Sequence, residues 1–138
     1  MPNLDVIESK IDAIKKYLHI LEPVLLTVSV DSLEMYAVER LFQLIVDSAI
    51  DINTHIITRS NLETPDDYKG TFGILADSKI IPRDFADLIS KSVGLRNLLV
   101  HGYEKVNKKE SLSHIIGGIK QYEEYIGFIN NYVNKIIK

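Results

Sequence analysis

Residues 31–60, DSLEMYAVERLFQLIVDSAIDINTHIITRS, form the stretch that decides the fold. This stretch contains no glycine or proline, and its apolar residues recur at the three- and four-residue spacing of a helix. Asp31 followed by Glu34 matches a capping box, an arrangement that starts many helices. We predict one helix from Asp31 to about Ser60, roughly 42 Å long at about 1.5 Å per residue. A helix of this length is expected to serve as the spine of the domain.

Four further helical segments flank the spine, and no strand-like alternation occurs between them. Each is bounded by ordinary helix signals, an N-cap residue or proline at its start or a proline or glycine at its end. We therefore predict an all-α, up-and-down antiparallel bundle of four long helices and one short helix, as a single domain over residues 1–138. The predicted flanking ranges are Asn3–Pro23, Thr64–Leu75 (the short helix), Pro82–Gly102 and Ser111–Ile136.

The amino-acid composition of the chain limits the classes of function that it can have. With 138 residues, 46% apolar residues and a net charge of −3, the chain is an ordinary globular domain without a broad basic field for nucleic acid. Contacts with RNA are therefore expected from a local patch formed by Lys105, Lys108 and Lys109. The absence of cysteine excludes disulfides and thiolate catalysis. The sequence shows no signal peptide and no apolar run of about 20 residues, so we expect a cytoplasmic protein without a membrane segment.

The chemistry is concentrated in Arg96-Asn97-Leu98-Leu99-Val100-His101-Gly102-Tyr103, an R-x4-H-x-Y pattern at the end of a predicted helix. On an uninterrupted helix, Arg96 would lie within about 20° of Phe85 and so extend the apolar stripe. A guanidinium in such a place needs an acid, a phosphate or an interface as its partner. A salt bridge to Asp47 or Asp51 of the spine is the structural interpretation, and phosphate binding is the functional one.

His101 supplies the group that can give and take a proton near neutral pH. It would lie about 140° from Arg96, so one helix does not bring the two together. Asn97 shares the face of His101 and is a candidate to orient its imidazole. The structural interpretations are that His101 is a cation at a helix C-terminus and that Tyr103 is a half-buried edge residue.

A metal site is not expected. Asp47, Asp51 and His55 are spaced four residues apart, but such a stripe is more often solvated or salt-bridged than ligating. The chain also lacks a glycine-rich phosphate loop preceded by a strand, so we expect no cofactor.

The chain resembles HepT-type toxins of the HEPN superfamily. The resemblance rests on R-N-x3-H-x-Y at Arg96–Tyr103, on Gly94-Leu95 before it, and on Tyr36–Arg40 and Ile50–Ile57 within the long second helix. It implies a HEPN-like helical fold and a ribonuclease toxin of a type VII-like toxin–antitoxin pair. Arg96 and His101 would then be the catalytic pair. Tyr103 would be the residue to which a partner nucleotidyltransferase antitoxin attaches AMP.

The resemblance also implies a homodimer whose interface cleft is lined by the motif. Metal-independent RNA cleavage uses the 2′-hydroxyl as nucleophile and needs a base, an acid and a cation for the phosphorane. One chain offers one well-placed histidine, whereas a two-fold dimer offers two copies of His101 and of Arg96.

Two other interpretations remain open at this stage. The chain could be a non-catalytic helical subunit that binds a nucleotide or a nucleotidyltransferase, with Arg96 on a nucleotide phosphate. It could also be a structural bundle whose motif only closes a helix end.

Overall fold

Six α-helices and one 3-10 turn form the chain in a computed structural model that describes residues 1–137. No strand occurs within those residues, which confirms the all-α prediction. The elements, in chain order, are α1 (Leu4–Leu25), α2 (Leu33–Arg59), α3 (Gly70–Asp77), α4 (Arg83–Ile89), α5 (Lys91–His101), the 3-10 turn (Tyr103–Lys105) and α6 (Lys108–Ile137).

Helix α2 is the spine of the bundle, as predicted. Its buried residues lie on more than one side because α1, α3, α5 and α6 all pack against it. The start of α1 lies beside the end of α2, where the Asn3 backbone N–H donates to His55 Nε2 at 2.8 Å, so these two helices are antiparallel. Helix α1 buries an apolar stripe in the core, and each such side chain contributes about 1.5–3 kcal/mol to stability. That stripe consists of Ile7, Ile11, Ile14, Leu18 and Leu21.

Several predicted helix boundaries shift by a few residues. The Asn3 cap is confirmed, because its Oδ1 accepts from the backbone N–H of Asp5 at 3.0 Å. The predicted end at Pro23 is wrong by two residues, since proline lacks only its own N–H and its carbonyl still accepts from Leu26. The spine is capped by Ser32 and not by Asp31, because Ser32 Oγ accepts from the Met35 backbone.

The other two corrections concern α3 and α6. The short helix begins at Gly70 and not at Thr64. The side-chain acceptor for its first backbone N–H is Asp67, whose Oδ1 accepts from Gly70. The last helix begins at Lys108, where Asn107 Oδ1 accepts from the Glu110 backbone at 3.1 Å. Ser111, the predicted cap, is instead buried within α6.

The predicted helix from Pro82 to Gly102 is interrupted at Ser90, which separates α4 from α5. Ser90 Oγ donates to the Asp87 carbonyl at 3.1 Å, and the Val93 N–H reaches back only three residues, to the Ser90 carbonyl. A three-residue turn changes the angular register of the residues that follow it. The predicted alignment of Arg96 with Phe85 therefore does not apply, and α5 presents its own face to the spine. No helix within residues 1–137 combines the length and apolarity needed to cross a bilayer.

Candidate active site

Arg96 of α5 forms an ion pair with Asp47 of α2. Arg96 Nε donates to Asp47 Oδ1 at 2.6 Å, and Arg96 Nη1 donates to Asn97 Oδ1 at 3.0 Å. The two side chains of the ion pair are 15% and 31% exposed. The predicted salt bridge to the spine is thus confirmed for Asp47, whereas Asp51 pairs with Lys10 at 2.9 Å. Because a guanidinium has five N–H groups, Arg96 keeps others that can bind an anion.

The guanidinium of Arg96 borders a groove of about 650 Å³ that follows the polar side of α2. The ring of Tyr68 forms part of its wall, with Arg96 Cζ 5.5 Å from the ring centroid. Tyr68 is 52% exposed, and Arg59 lines the groove near the end of α2. The groove therefore combines an exposed aromatic ring and two arginines, which suit single-stranded nucleic acid, with two carboxylates. These carboxylates, Asp47 and Asp51, are paired with Arg96 and Lys10.

Asp47, Asp51 and His55 each contact other residues of the chain. His55 Nε2 accepts the Asn3 backbone N–H, and burial together with the charge of Arg59 lowers the pKa of His55. Across residues 1–137, no three histidine, cysteine or acidic side chains are grouped in a way that could hold a metal ion.

His101 is the last residue of α5 and is exposed to solvent. Its helix ends at Gly102, whose backbone leaves the helical conformation (φ −126°, ψ 33°) while its N–H still donates to the Leu98 carbonyl at 2.9 Å. Asn97, predicted to orient His101, hydrogen-bonds Arg96 instead. In the described part of the chain, no hydrogen bond or ion pair joins His101 to Arg96. One chain therefore presents the arginine and the histidine on one helix without assembling them into a single site.

Tyr103 belongs to a second cluster, built around Glu39 of α2. Tyr103 Oη donates to Glu39 Oε1 at 2.7 Å, and Ser111 Oγ donates to Glu39 Oε2 at 3.1 Å. Lys108 Nζ contacts both Glu39 Oε1 and Tyr103 Oη. Glu39 is only 3% exposed, whereas Tyr103 is 36% exposed. The cluster therefore ties the 3-10 turn and the start of α6 to the spine.

Glu39 was not predicted from the sequence as a site residue. The available signal was its position four residues after Met35 and three before Phe42, both of which are buried on α2. An acid at such a place on a helix shares the buried face and needs partners that donate hydrogen bonds. The partners lie 64 or more residues away, at Tyr103, Lys108 and Ser111, so the pattern within α2 alone does not identify them.

Electrostatics distinguish this cluster from the surrounding surface. Burial raises the pKa of Tyr103, Lys108 lowers it and Glu39 raises it, and the pKa stays above its ordinary value, so the hydroxyl is protonated at neutral pH. Burial lowers the pKa of Lys108, but its hydrogen bonds to Glu39 and Tyr103 outweigh burial and raise that pKa overall. Of the three lysines predicted to contact RNA, Lys105 and Lys109 are exposed, and Lys108 is half-buried in this cluster.

Comparison with known proteins places these features in one family. The family model described as "Ribonuclease HepT-like" matches residues 7–129. The tRNA nuclease HepT of Aphanizomenon flos-aquae is 35% identical over 141 aligned residues, which cover 96% of this chain and 95% of that protein. The mRNA nuclease HepT of Shewanella oneidensis is 30% identical over 83 residues, which cover 60% of this chain and 62% of that protein.

The fold is also similar to a solved complex of the tri-AMPylated Shewanella oneidensis HEPN toxin with its MNT antitoxin. The similarity has a TM-score of 0.84 at 27% identity and covers 92% of this chain and 98% of the solved chain. The extent of the match to the family model and to the Aphanizomenon nuclease shows that the chain belongs to the HepT-like ribonuclease family.

Proposed function

We propose that the chain is a metal-independent endoribonuclease toxin, and that a cognate nucleotidyltransferase neutralises it by attaching AMP to Tyr103. The observation that carries this proposal is the setting of Arg96. Its guanidinium is held by Asp47 and Asn97 and still borders an open groove, on the same helix that ends in the exposed His101. The two nucleases named above act on RNA, which supports RNA as the substrate class.

The proposed reaction uses the RNA's own 2′-hydroxyl as the nucleophile. The 2′-oxygen attacks the adjacent phosphorus, its proton passes to a base, and the 5′-oxygen of the next nucleotide leaves with a proton from an acid. A 2′,3′-cyclic phosphate forms in this step. Arg96 would stabilise the charge on the phosphorane, and its fixed position means that little reorganisation is needed. Lys105 and Lys109, both exposed, are proposed to contact flanking phosphates.

The proposed active form is a homodimer in the cytoplasm. Each chain supplies one His101, so two copies are needed for a histidine base and a histidine acid. Exposed apolar side chains on and near α5 support an interface there, among them Leu88 and Val100, which are 46% and 38% exposed. A chain without cysteine is suited to a reducing compartment.

Modification of Tyr103 would inhibit the enzyme through charge and bulk. Tyr103 follows His101 by two residues and its ring is partly exposed, so an attached AMP places a phosphate and a nucleoside beside the motif. A phosphate there would compete with the RNA backbone for Arg96 and the nearby lysines. The solved complex of a tri-AMPylated HEPN toxin with its antitoxin supports this assignment.

The central test is RNA cleavage by the purified dimer with EDTA present. We expect Arg96→Ala and His101→Ala to lower cleavage by about 10²-fold or more and to relieve growth inhibition, because each removes a group that acts in the transition state. Arg40→Ala and His19→Ala remove the same residue types at exposed helix positions and serve as matched controls. Undiminished cleavage by either motif variant, at unchanged dimer mass, would refute the assignment.

Mass spectrometry tests the regulatory half of the proposal. Incubation with ATP, Mg²⁺ and the nucleotidyltransferase should add AMP to the wild-type chain and add none to Tyr103→Phe. An unmodified tyrosine within a stable complex of the two proteins would favour the non-catalytic binding subunit instead.

A further inference from the structure

The hydroxyl group of Tyr103 lies between a carboxylate and an ammonium group. Glu39 Oε1 accepts from Tyr103 Oη at 2.7 Å, and Lys108 Nζ contacts the same hydroxyl oxygen. Lys108 Nζ also lies 4.5 Å from the centroid of the Tyr103 ring and 4.0 Å from that of Tyr36. The hydroxyl is therefore held in one orientation by groups of opposite charge.

Glu39 is costly to bury, and its neighbours compensate for that cost. A carboxylate with 3% exposure needs hydrogen-bond donors, and Tyr103, Lys108 and Ser111 supply three. A structural need at this position on α2 would be met by an apolar residue, since Met35 and Phe42 on the same face are both fully buried. Besides tying the 3-10 turn and the start of α6 to the spine, the carboxylate places a proton acceptor against the Tyr103 hydroxyl, which an apolar residue would not do.

Tyrosine as an acceptor of AMP presents a chemical difficulty, because a protonated phenol is a weak nucleophile. Burial raises the pKa of Tyr103 and keeps the hydroxyl protonated at neutral pH. A base within hydrogen-bond reach of the proton is then required, and the distance from Tyr103 Oη to Glu39 Oε1 meets that condition.

We propose that Glu39 is the general base for adenylylation of Tyr103, a role that rests on the proposed function. Tyr103 Oη attacks the α-phosphorus of ATP bound to the nucleotidyltransferase, so that an O–P bond forms as the bond between the α-phosphorus and the bridging oxygen breaks. Pyrophosphate leaves with that electron pair, and the phenolic proton passes to the Glu39 carboxylate and then to water. Lys108 offsets negative charge on the acceptor oxygen and on the approaching α-phosphate.

Modification also changes the cluster. The ester oxygen formed at Tyr103 no longer carries a proton, so it cannot donate to Glu39. The carboxylate then keeps only Lys108 and Ser111 as its donors.

The experiment measures the initial rate of AMP attachment by intact-mass spectrometry, with ATP, Mg²⁺ and the nucleotidyltransferase in fixed amounts. We expect Glu39→Gln to lower that rate by about 10²-fold, because the amide keeps the size of the side chain and cannot accept the proton. Glu110→Gln is the matched control, since it makes the same change at an exposed position near Lys108 and should retain the wild-type rate.

Glu39→Asp is the second variant, because it keeps the acid in this buried cluster and retracts it by one methylene. We expect the Asp variant to react faster than Glu39→Gln and slower than wild type. Circular dichroism and co-elution with the nucleotidyltransferase establish that each variant is folded and binds its partner. A wild-type rate in the folded Glu39→Gln variant, or a Glu39→Asp variant no faster than Glu39→Gln, would overturn the role of Glu39. Absence of modification in the wild-type chain would instead refute the proposed function.

Discussion

Replacing Asp47 by Asn should impair RNA cleavage while leaving the fold nearly intact. Asp47 lines the groove beside Arg96, and its Oδ1 accepts from Arg96 Nε at 2.6 Å. The Asn side chain has the same size and can still accept one neutral hydrogen bond. What the substitution removes is the negative charge that fixes the guanidinium beside the groove.

The magnitude follows from the exposure of the pair. A hydrogen bond to a charged group contributes about 1.5–3 kcal/mol, and a neutral one about half as much. The ion pair of Arg96 and Asp47 is 15% and 31% exposed, so solvent screens part of it and we expect a loss of about 1 kcal/mol in stability. If the less firmly held Arg96 stabilises the transition state by about 1.4 kcal/mol less, kcat/KM falls about tenfold.

The assay is steady-state cleavage of one RNA substrate by dimers of matched concentration, with thermal unfolding measured in parallel. Asp51→Asn is the control, because it removes the same charge from the same groove one helical turn further along α2, where the carboxylate pairs with Lys10 and not with Arg96. We expect the control to stay within about twofold of wild type. Equal kcat/KM for Asp47→Asn and wild type would show that Asp47 does not position Arg96 for cleavage.

Two further predictions concern stability. In a circular dichroism melt, Gly118→Ala should unfold several degrees below Gly117→Ala. A Cβ at Gly118 would lie 2.8 Å from the buried Phe42 ring, whereas a Cβ at Gly117 meets nothing within 4 Å. Both substitutions gain about 1 kcal/mol of helix propensity, so the difference in stability between the two variants measures the cost of overpacking at Gly118, about 1–3 kcal/mol. Equal melting temperatures would contradict this prediction. The second prediction is a pH dependence from His55, whose lowered pKa in the folded chain means that the unfolded chain binds a proton more readily. Stability should therefore decline as pH falls below about 6.5 towards the folded pKa. Urea midpoints of His55→Gln should decline less over that range, and parallel profiles for the variant and wild type would argue against this contribution.

Apolar periodicity was sufficient to predict the long elements of the fold. The buried stripe of α1 follows from its apolar spacing, and the length of the spine α2 follows from an apolar run without glycine or proline. The interruption at Ser90 was not predictable in this way. Serine is tolerated within helices, and the turn there depends on a local hydrogen bond to the Asp87 carbonyl.

The candidate site was likewise predicted only in part. The pattern identified Arg96 as a charge in need of a partner, and Asp47 was one of two acids at the right places on the spine. Glu39 was not identified, because its three donors come from the 3-10 turn and α6, and their approach depends on how α5 ends. Residue spacing within one helix predicts which face is buried, but it does not predict which distant loop covers that face.

The interruption at Ser90 also has a consequence for cooperativity. It leaves the motif on an eleven-residue helix that buries only Ser92, Val93 and Leu99, whereas α2 buries side chains along its whole length. Free energies of local opening follow buried contacts, so the helix with Arg96 and His101 should open more readily than the spine. A second copy of the chain or a bound RNA that covers or orders this helix would raise the population of chains in which α5 is folded. Under the proposed function, assembly, RNA binding and local folding of α5 would thereby be thermodynamically linked.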